Sequence, residues 1–403
     1  MAVANKELMR AINRFAILHA IRDAGSISRV EIARRTGLSQ ATVTAISAEL
    51  IGERLLLEQQ GGISAGGRRP VPLTLNPTGA YTVGVHLSVD QVCVVLMDLQ
   101  ATIIGTYTST LGDEGYDLDA VVARLLESVQ TCLWQTDFNK KQISGVGVAV
   151  PGLIDSRTGF VHYVPNYQWR GIELAHLLRD QLGMPAYVEN SANVLAIFEQ
   201  WFGVGRGADN FLLITTEHGI GMGLVLDGKL YRGSRGFAGE FGHLQVDAQG
   251  PLCRCGQVGC LEAICGNNAI IRDAEEAARL GLWPCEQPGN LTIEAVLAAA
   301  ERGEPALRAI YRRVGRTLGV GINNMQALFD PERIIVSGKG VLAGDMLFGP
   351  LQEVVHPDIS LTDDAACRLF IQPWQPTNYA RAAGALVLQE IYKSPANRVV
   401  PLI

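Results

Sequence analysis

The feature that most constrains this chain is a change of hydrophobic period near Gly79. Before it, apolar residues recur at three- and four-residue steps, the spacing of a helix face; after it they gather into short runs, the pattern of strands. A chain with that break is expected to fold as a helical head on an α/β body. Size points the same way, because 403 residues, 48% of them hydrophobic, exceed what one core holds; single cores stop growing near about 250 to 300 residues.

In the head, Leu8, Ile12, Phe15, Leu18 and Ile21 predict one face of a helix that Gly25 closes. Ser28 followed by Glu31 reads as a capping box opening a short helix, Val30 to Arg35. Thr36-Gly37-Leu38 makes a tight turn, and Ser39 caps a second helix whose buried side is read as Ala41, Val43, Ile46 and Leu50. That leaves Gln40, Thr42, Thr44 and Ser47 exposed; with Ser39, they are the candidate residues for reading bases and phosphates. Leu55 to Leu57 and Val71 to Leu75 then predict the two strands of a wing with Arg68 and Arg69 at its tip, where arginines reach phosphates or the minor groove. Residues 1–78 are accordingly read as a winged helix-turn-helix, and its partner as double-stranded operator DNA. Charge agrees: residues 1–75 hold ten Lys+Arg against six Asp+Glu, while the whole chain carries −6.

Residues 79–403 are read as the body. Tyr81 to Leu87, Val92 to Asp98 and Thr102 to Tyr107 predict a meander, followed by a helix from Leu118 to Trp134 and a buried strand from Val146 to Val150. Ala186 to Val188, Phe211 to Ile214 and Arg333 to Val336 predict further strands, alternating with helices Leu174 to Leu182, Asn193 to Phe202, Ala306 to Phe329 and Tyr379 to Tyr392. The expectation is an α/β body of two lobes. No apolar run approaches the roughly 20 residues of a membrane span, and the opening MAVANKELMRAINR lacks the apolar core of an export signal, so a cytoplasmic protein without membrane insertion is expected. In that compartment, three cysteines crowded into Cys253 to Cys260 suggest metal rather than disulfides.

One stretch is specific enough to name a family. Gly239-Glu240-Phe241-Gly242-His243, followed by Cys253-Arg254-Cys255-Gly256-Gln257-Val258-Gly259-Cys260-Leu261-Glu262, resembles the ExGH and CxCGxxGCxE signature of the ROK family of repressors, open reading frames and sugar kinases. The resemblance implies an actin-like, ribonuclease H-like sugar-kinase fold for the body and a repressor's head before it. Thiolate and imidazole are the ligands zinc prefers, and His243, Cys253, Cys255 and Cys260 complete a closed tetrahedral set, so one structural Zn²⁺ per chain is expected in a loop at 243–260. The resemblance also implies a sugar pocket in which Asn166, Asn190, Glu240, His243 and Glu262 hydrogen-bond sugar hydroxyls, with His243 serving both metal and sugar. The implied partners are a sugar or sugar-phosphate effector and a second copy of the chain, as a homodimer or homotetramer.

Against the kinases of that family this chain departs at the reactive positions. Their DxGGT phosphate loop is here His86-Leu87-Ser88-Val89-Asp90, and their second phosphate loop reads Glu217-His218-Gly219-Ile220-Gly221-Met222-Gly223. Their catalytic Asp is Ser191, whose hydroxyl is too weak a base at neutral pH, and the remaining nearby carboxylate is Glu189. The reading is therefore a sugar-responsive transcriptional repressor that is not an enzyme. Two alternatives stay open: an active sugar kinase with an accessory DNA-binding head, and a repressor governed by a protein partner with a vestigial sugar pocket.

Overall fold

The computed structural model of the protein describes residues 5–59, 71–111, 116–285, 287–355 and 367–392. Its chain divides into two compact units, one comprising residues 1–194 with 379–403 and the other residues 195–378.

The first unit opens with the head. Helix α1 (Asn5–Ala24) is followed by the two-residue strand β1 (Ile27–Ser28), helices α2 (Arg29–Thr36) and α3 (Gln40–Gly52), and strands β2 (Leu56–Glu58) and β3 (Pro72–Leu75). The three strands form one small sheet with β3 in the middle. The wing strands are thus as expected, while Arg68 and Arg69 lie outside the described residues. On α1 the buried stripe is Ala11, Ile17, Leu18 and Ile21, rotated from the expected face so that Ile12 is largely exposed. Only half of the capping box forms. Ser28 accepts from the Glu31 amide at 3.3 Å, but the Glu31 carboxylate is drawn to Arg34 and Arg35 instead of back to the cap.

After a turn at Pro77–Gly79, strands β4 (Tyr81–Leu87), β5 (Gln91–Asp98) and β6 (Ile103–Thr110) make the expected meander. Helix α4 (Leu118–Gln135) and strand β7 (Ile143–Val150) follow. A small antiparallel sheet that the sequence pattern did not suggest comes next: β8 (Leu153–Asp155), β9 (Phe160–Val164) and β10 (Trp169–Ile172). Helix α5 (Leu174–Leu182), strand β11 (Ala186–Asn190) and helix α6 (Ser191–Phe202) complete the run. The main sheet has the order β11-β7-β4-β5-β6. Strands β4, β7 and β11 are parallel, and β6 runs with them because both it and β4 oppose β5. Their carboxyl ends, Leu87, Val150, Asn190 and Thr110, therefore share one edge, the edge where open α/β sheets bind ligands.

The second unit carries strands β12 (Phe211–Thr216), β13 (Ile220–Leu226) and β14 (Lys229–Leu230), helices α7 (Leu261–Cys265), α8 (Asn267–Arg279), α9 (Ile293–Glu301) and α10 (Pro305–Phe329), strand β15 (Arg333–Ser337), helix α11 (Asp345–Gln352) and strand β16 (Arg368–Ile371). Its sheet has the order β14-β13-β12-β15-β16, and its core gathers Leu212, Ile214, Phe241, Leu261 and Val336 around α10. Helix α12 (Asn378–Tyr392) returns the chain to the first unit.

Candidate functional site

In the head, Ser39 caps α3 by accepting from the Thr42 amide at 3.1 Å, and its hydroxyl also meets that of Thr42 at 2.8 Å. Thr42 is half-buried and serves the cap, whereas Gln40 and Thr44 stand exposed on the outer face. Two sequence readings are corrected. Ser47 is fully buried with its hydroxyl sealed off and without a partner among the described residues, so it cannot face DNA, and Ala41, expected inside, is exposed. Small residues follow their neighbours, and Val43, Ile46 and Leu50 set the buried face so that Ser47 lies on it while Ala41, Thr44 and Ala45 turn outward. The exposed alanine methyls join Gln40 and Thr44 on a surface suited to the major groove, where methyls can meet thymine.

The arginines of the helices are largely neutralised within the head. Arg10 and Arg14 pair with Glu49 and Glu53, Arg22 with Asp23, Arg29 with Glu58, and Arg34 and Arg35 with Glu31. The two arginines hold the Glu31 carboxyl down at about 2 through hydrogen bonds.

In the second unit, the ligand atoms of His243, Cys253, Cys255 and Cys260 lie within 4.8 Å of one another. Cys253 Sγ is 3.6 Å from His243 Nδ1, and Cys255 Sγ is 3.6 Å from Cys260 Sγ. Four ligands held at about 2.0 to 2.3 Å from one tetrahedral ion would lie roughly 3.5 to 3.8 Å apart, so the set fits a metal of zinc's size and ligand preference. Burial pushes the Cys260 thiol up to about 12, while at Cys255 hydrogen bonds from the Gln257 backbone and the other thiols overcome desolvation and lower it. Gly259 is needed here: its φ of +72° and the carbonyl of Asp247 leave no room for a side chain. The loop closes through bridges Gln245↔Cys260 and Leu252↔Val258.

His243 presents its second nitrogen elsewhere, with Nε2 3.9 Å from Glu240 Oε2. Glu262, in the first turn of α7, is locally engaged. Arg254 grips it at 2.7 and 3.2 Å, and the Ile220 amide donates to it at 3.3 Å.

The remaining candidates lie in the first unit, Asn190 at the carboxyl edge of its main sheet and Asn166 at a turn of the small antiparallel sheet. Asn166 sits in the turn between β9 and β10, the hairpin that sequence reasoning missed. Asn190, at the end of β11, donates to the Gly152 carbonyl at 2.9 Å and accepts from the Ala192 amide at 2.8 Å, capping α6. Ser191 has a buried hydroxyl without a partner among the described residues. Glu189 is 1% exposed and accepts from the Asn190 amide at 2.9 Å and from Asn193 Nδ2 at 3.0 Å, so it is held away from the role of a substitute base. His86, at the position of the kinases' metal-holding Asp, is buried against Tyr379 with ring centroids 4.4 Å apart, and burial pushes it down to about 3. A neutral imidazole there offers no carboxylate to a cation.

With this geometry in view, the comparisons with known proteins are consistent along the chain. Residues 10–53 match the winged helix-turn-helix DNA-binding model, and residues 83–390 match the ROK family model. A xylose repressor of Caldicellulosiruptor bescii is 30% identical over 360 residues, covering 88% of this chain and 90% of that protein. Among solved structures, a ROK family transcriptional regulator described as a homologue of the E. coli MLC protein superposes with a TM-score of 0.79 at 27% identity, covering 96% of this chain and 97% of its own. A ROK family glucokinase from Streptomyces griseus, solved with glucose and AMPPNP, superposes with a TM-score of 0.64 at 25% identity, covering 76% of this chain and 99% of its own. The glucokinase's coverage stops short of the whole chain, whereas the regulator's extends across nearly all of it. On the cysteine and histidine signature, the two sheets and these matches, the chain belongs to the ROK family.

Proposed function

We propose that this protein is a sequence-specific transcriptional repressor of carbohydrate genes, built as a DNA-binding head of residues 1–78 and an effector body of residues 79–403. It acts in the cytoplasm as a homodimer or homotetramer, and binding of a sugar or sugar phosphate through Asn166, Asn190, Glu240, His243 and Glu262 changes its affinity for the operator. One Zn²⁺ on His243, Cys253, Cys255 and Cys260 holds the loop that begins at His243 and lies between Glu240 and Glu262. The observation that carries the reading is the exposed face of α3, Gln40 with Thr44, capped by Ser39 on a head of the fold that places such a helix in the major groove.

Selection from random duplex DNA tests it. A preferred sequence is expected, and alanine at Gln40 or Thr44 should lower the preference for it by about 1 to 3 kcal/mol per well-placed base pairing. Arg68→Ala with Arg69→Ala should instead weaken all DNA alike and shallow the salt slope by roughly one unit for each phosphate no longer neutralised. Recovery of no preferred sequence would overturn the repressor reading.

The body is proposed not to phosphorylate sugars. Ser191, the inward-held Glu189 and the neutral His86 leave no base and no carboxylate for a metal at those positions. An ADP-release assay across hexoses, pentoses and amino sugars should read background, and turnover near ~1 per second, within the ordinary enzyme range, would contradict this. Ser191→Asp alone should stay inactive, because the phosphate loops would still be missing.

A further inference from the structure

The first unit holds an exposed aromatic ring whose environment the sugar ligands do not explain. Tyr116 stands in the connection from β6 to α4, two residues before α4 begins. One face of its ring is covered by Tyr167, with centroids 4.9 Å apart and planes 17° from parallel. Tyr167 is itself fixed: Trp169 meets it edge-on at 4.7 Å, and its hydroxyl donates to the Ser88 carbonyl. The Tyr116 backbone is held as well, because Trp169 Nε1 donates to its carbonyl at 2.7 Å. The loops behind are tied together by Ser88 Oγ donating to Asp90 at 2.8 Å and the Leu111 amide donating to the Asp90 carbonyl at 2.8 Å. Yet Tyr116 remains 40% exposed. A ring backed by Tyr167 and still partly exposed is a preformed platform, since its ordering cost is met before any ligand arrives.

Its neighbours say what kind of ligand it suits. Tyr167 adjoins Asn166, and Ser88 and Asp90 occupy the segment that stands in place of the kinases' phosphate loop. A sugar ring has two chemistries: hydroxyls around its edge, which amides and carboxylates match, and a face of C–H groups, which is apolar and pairs with an aromatic surface.

We propose that Tyr116 is a specificity-determining residue of the effector site, stacking on the C–H face of a pyranose. The proposal rests on the sugar-effector reading and adds to it a preference for rings with a continuous apolar face. The hydroxyl is not required, so the ring and not its polarity carries the effect.

The full-length protein is titrated with D-xylose, D-glucose, N-acetylglucosamine and their phosphates, and the tightest binder to the parent is carried forward. Tyr116→Ala should weaken that sugar about tenfold, a loss of about 1.4 kcal/mol, while Tyr116→Phe and Tyr116→Trp stay within about threefold, on the scale of one aromatic contact. Operator affinity without sugar should be unchanged in all three and a single cooperative unfolding transition retained, which excludes a folding defect; Tyr116→Ala alone should melt slightly lower, because it loses the stack on Tyr167. A Tyr116→Ala protein that binds sugar within about twofold of the parent, on the same scale, overturns the proposal while leaving the sugar-effector reading intact. So does a Tyr116→Phe protein as weak as the alanine variant, which would assign the effect to the hydroxyl. If no sugar binds the parent, the sugar-effector reading fails, and the proposal with it.

Discussion

Stripping zinc from the purified protein should lower the melting temperature of the Leu195–Asn378 unit by about 10 °C or more and abolish any response to sugar. Beyond Leu244 and Val246, which pack against the core of the unit, the loop from His243 to Cys260 buries little apolar surface: Leu252 and Val258 are 72% and 39% exposed, and Gln245, Arg254, Cys255, Gly256 and Gln257 are exposed too. Its order comes from a few backbone bonds, such as Cys253 N to Gln257 O at 2.7 Å and Gly259 N to Pro251 O at 2.8 Å, and from the ligand cluster. Solvent-exposed bonds of that kind contribute only about 0.5 to 1.5 kcal/mol each, whereas structural zinc contributes on the order of 10 kcal/mol to small domains that depend on it. Without the metal, three thiols and an imidazole lose their common partner and the loop opens. Even a net loss of about 4 kcal/mol would shift melting by roughly 8 to 16 °C in a unit of this size. On the proposed sugar site, the response falls with it because His243, by its second nitrogen, and Glu262, through Arg254 of the loop, are both positioned by the same turn. Cys255→Ser should reproduce the effect. Elemental analysis should return about one zinc per chain, and protein free of stoichiometric metal with unchanged melting in chelator would refute the site.

The sequence signals differ in how far they carry. Long, strongly patterned elements are legible almost to the residue: β4 and α5 fall where the pattern places them, and α10 begins one residue early, at Pro305. The cluster of His243, Cys253, Cys255 and Cys260 is legible because three cysteines and glycines at fixed steps leave few other readings. What fails are the short or weakly polar choices. The β8–β10 sheet, with strands of three to five residues broken by turns, gives no period to detect, so the local scaffold of Asn166 is invisible in sequence. Polarity alone sends Ser47 outward and Ala41 inward, whereas Val43, Ile46 and Leu50 decide the buried face and small residues are carried with it. Glu31 has two competing attractions, a cap amide and two arginines, and the charged partners win. Tyr116 has no signal of its own, since its position depends on stacking against Tyr167, fifty-one residues away.

Gly147→Val should unfold or nearly unfold the first unit, although the position reads in sequence as an ordinary place in a buried strand, where valine is favoured. Gly84 of β4 and Gly147 of β7 are direct partners across the parallel pair, and together they make a flat place on the sheet. Helix α12 lies on it. A Cβ on Gly147 would run into the Ala383 carbonyl, and one on Gly84 into the Ala380 carbonyl and the Gly384 amide. These are backbone atoms of a helix whose residues Ala380, Ala382, Ala383 and Ala385 are themselves buried, so no side chain can swing aside. Relief requires lifting α12 from the sheet, which would disturb Tyr379 on His86, Arg381 on the Ala101 carbonyl and Tyr392 on the Leu99 carbonyl. Overpacking in a core that can adjust costs about 1 to 3 kcal/mol. Here adjustment is denied, and the cost should exceed that range, against a total stability of about 5 to 15 kcal/mol. The control is Gly52→Ala at the end of α3, where nothing lies within 4 Å of the new methyl and helix propensity favours alanine by up to about 1 kcal/mol. Denaturant unfolding followed by circular dichroism should show Gly52→Ala at or above the parent midpoint and Gly147→Val far below it. A Gly147→Val protein within about 0.5 kcal/mol of the parent, the ordinary range of a surface change, would mean that α12 does not bear on the sheet as described.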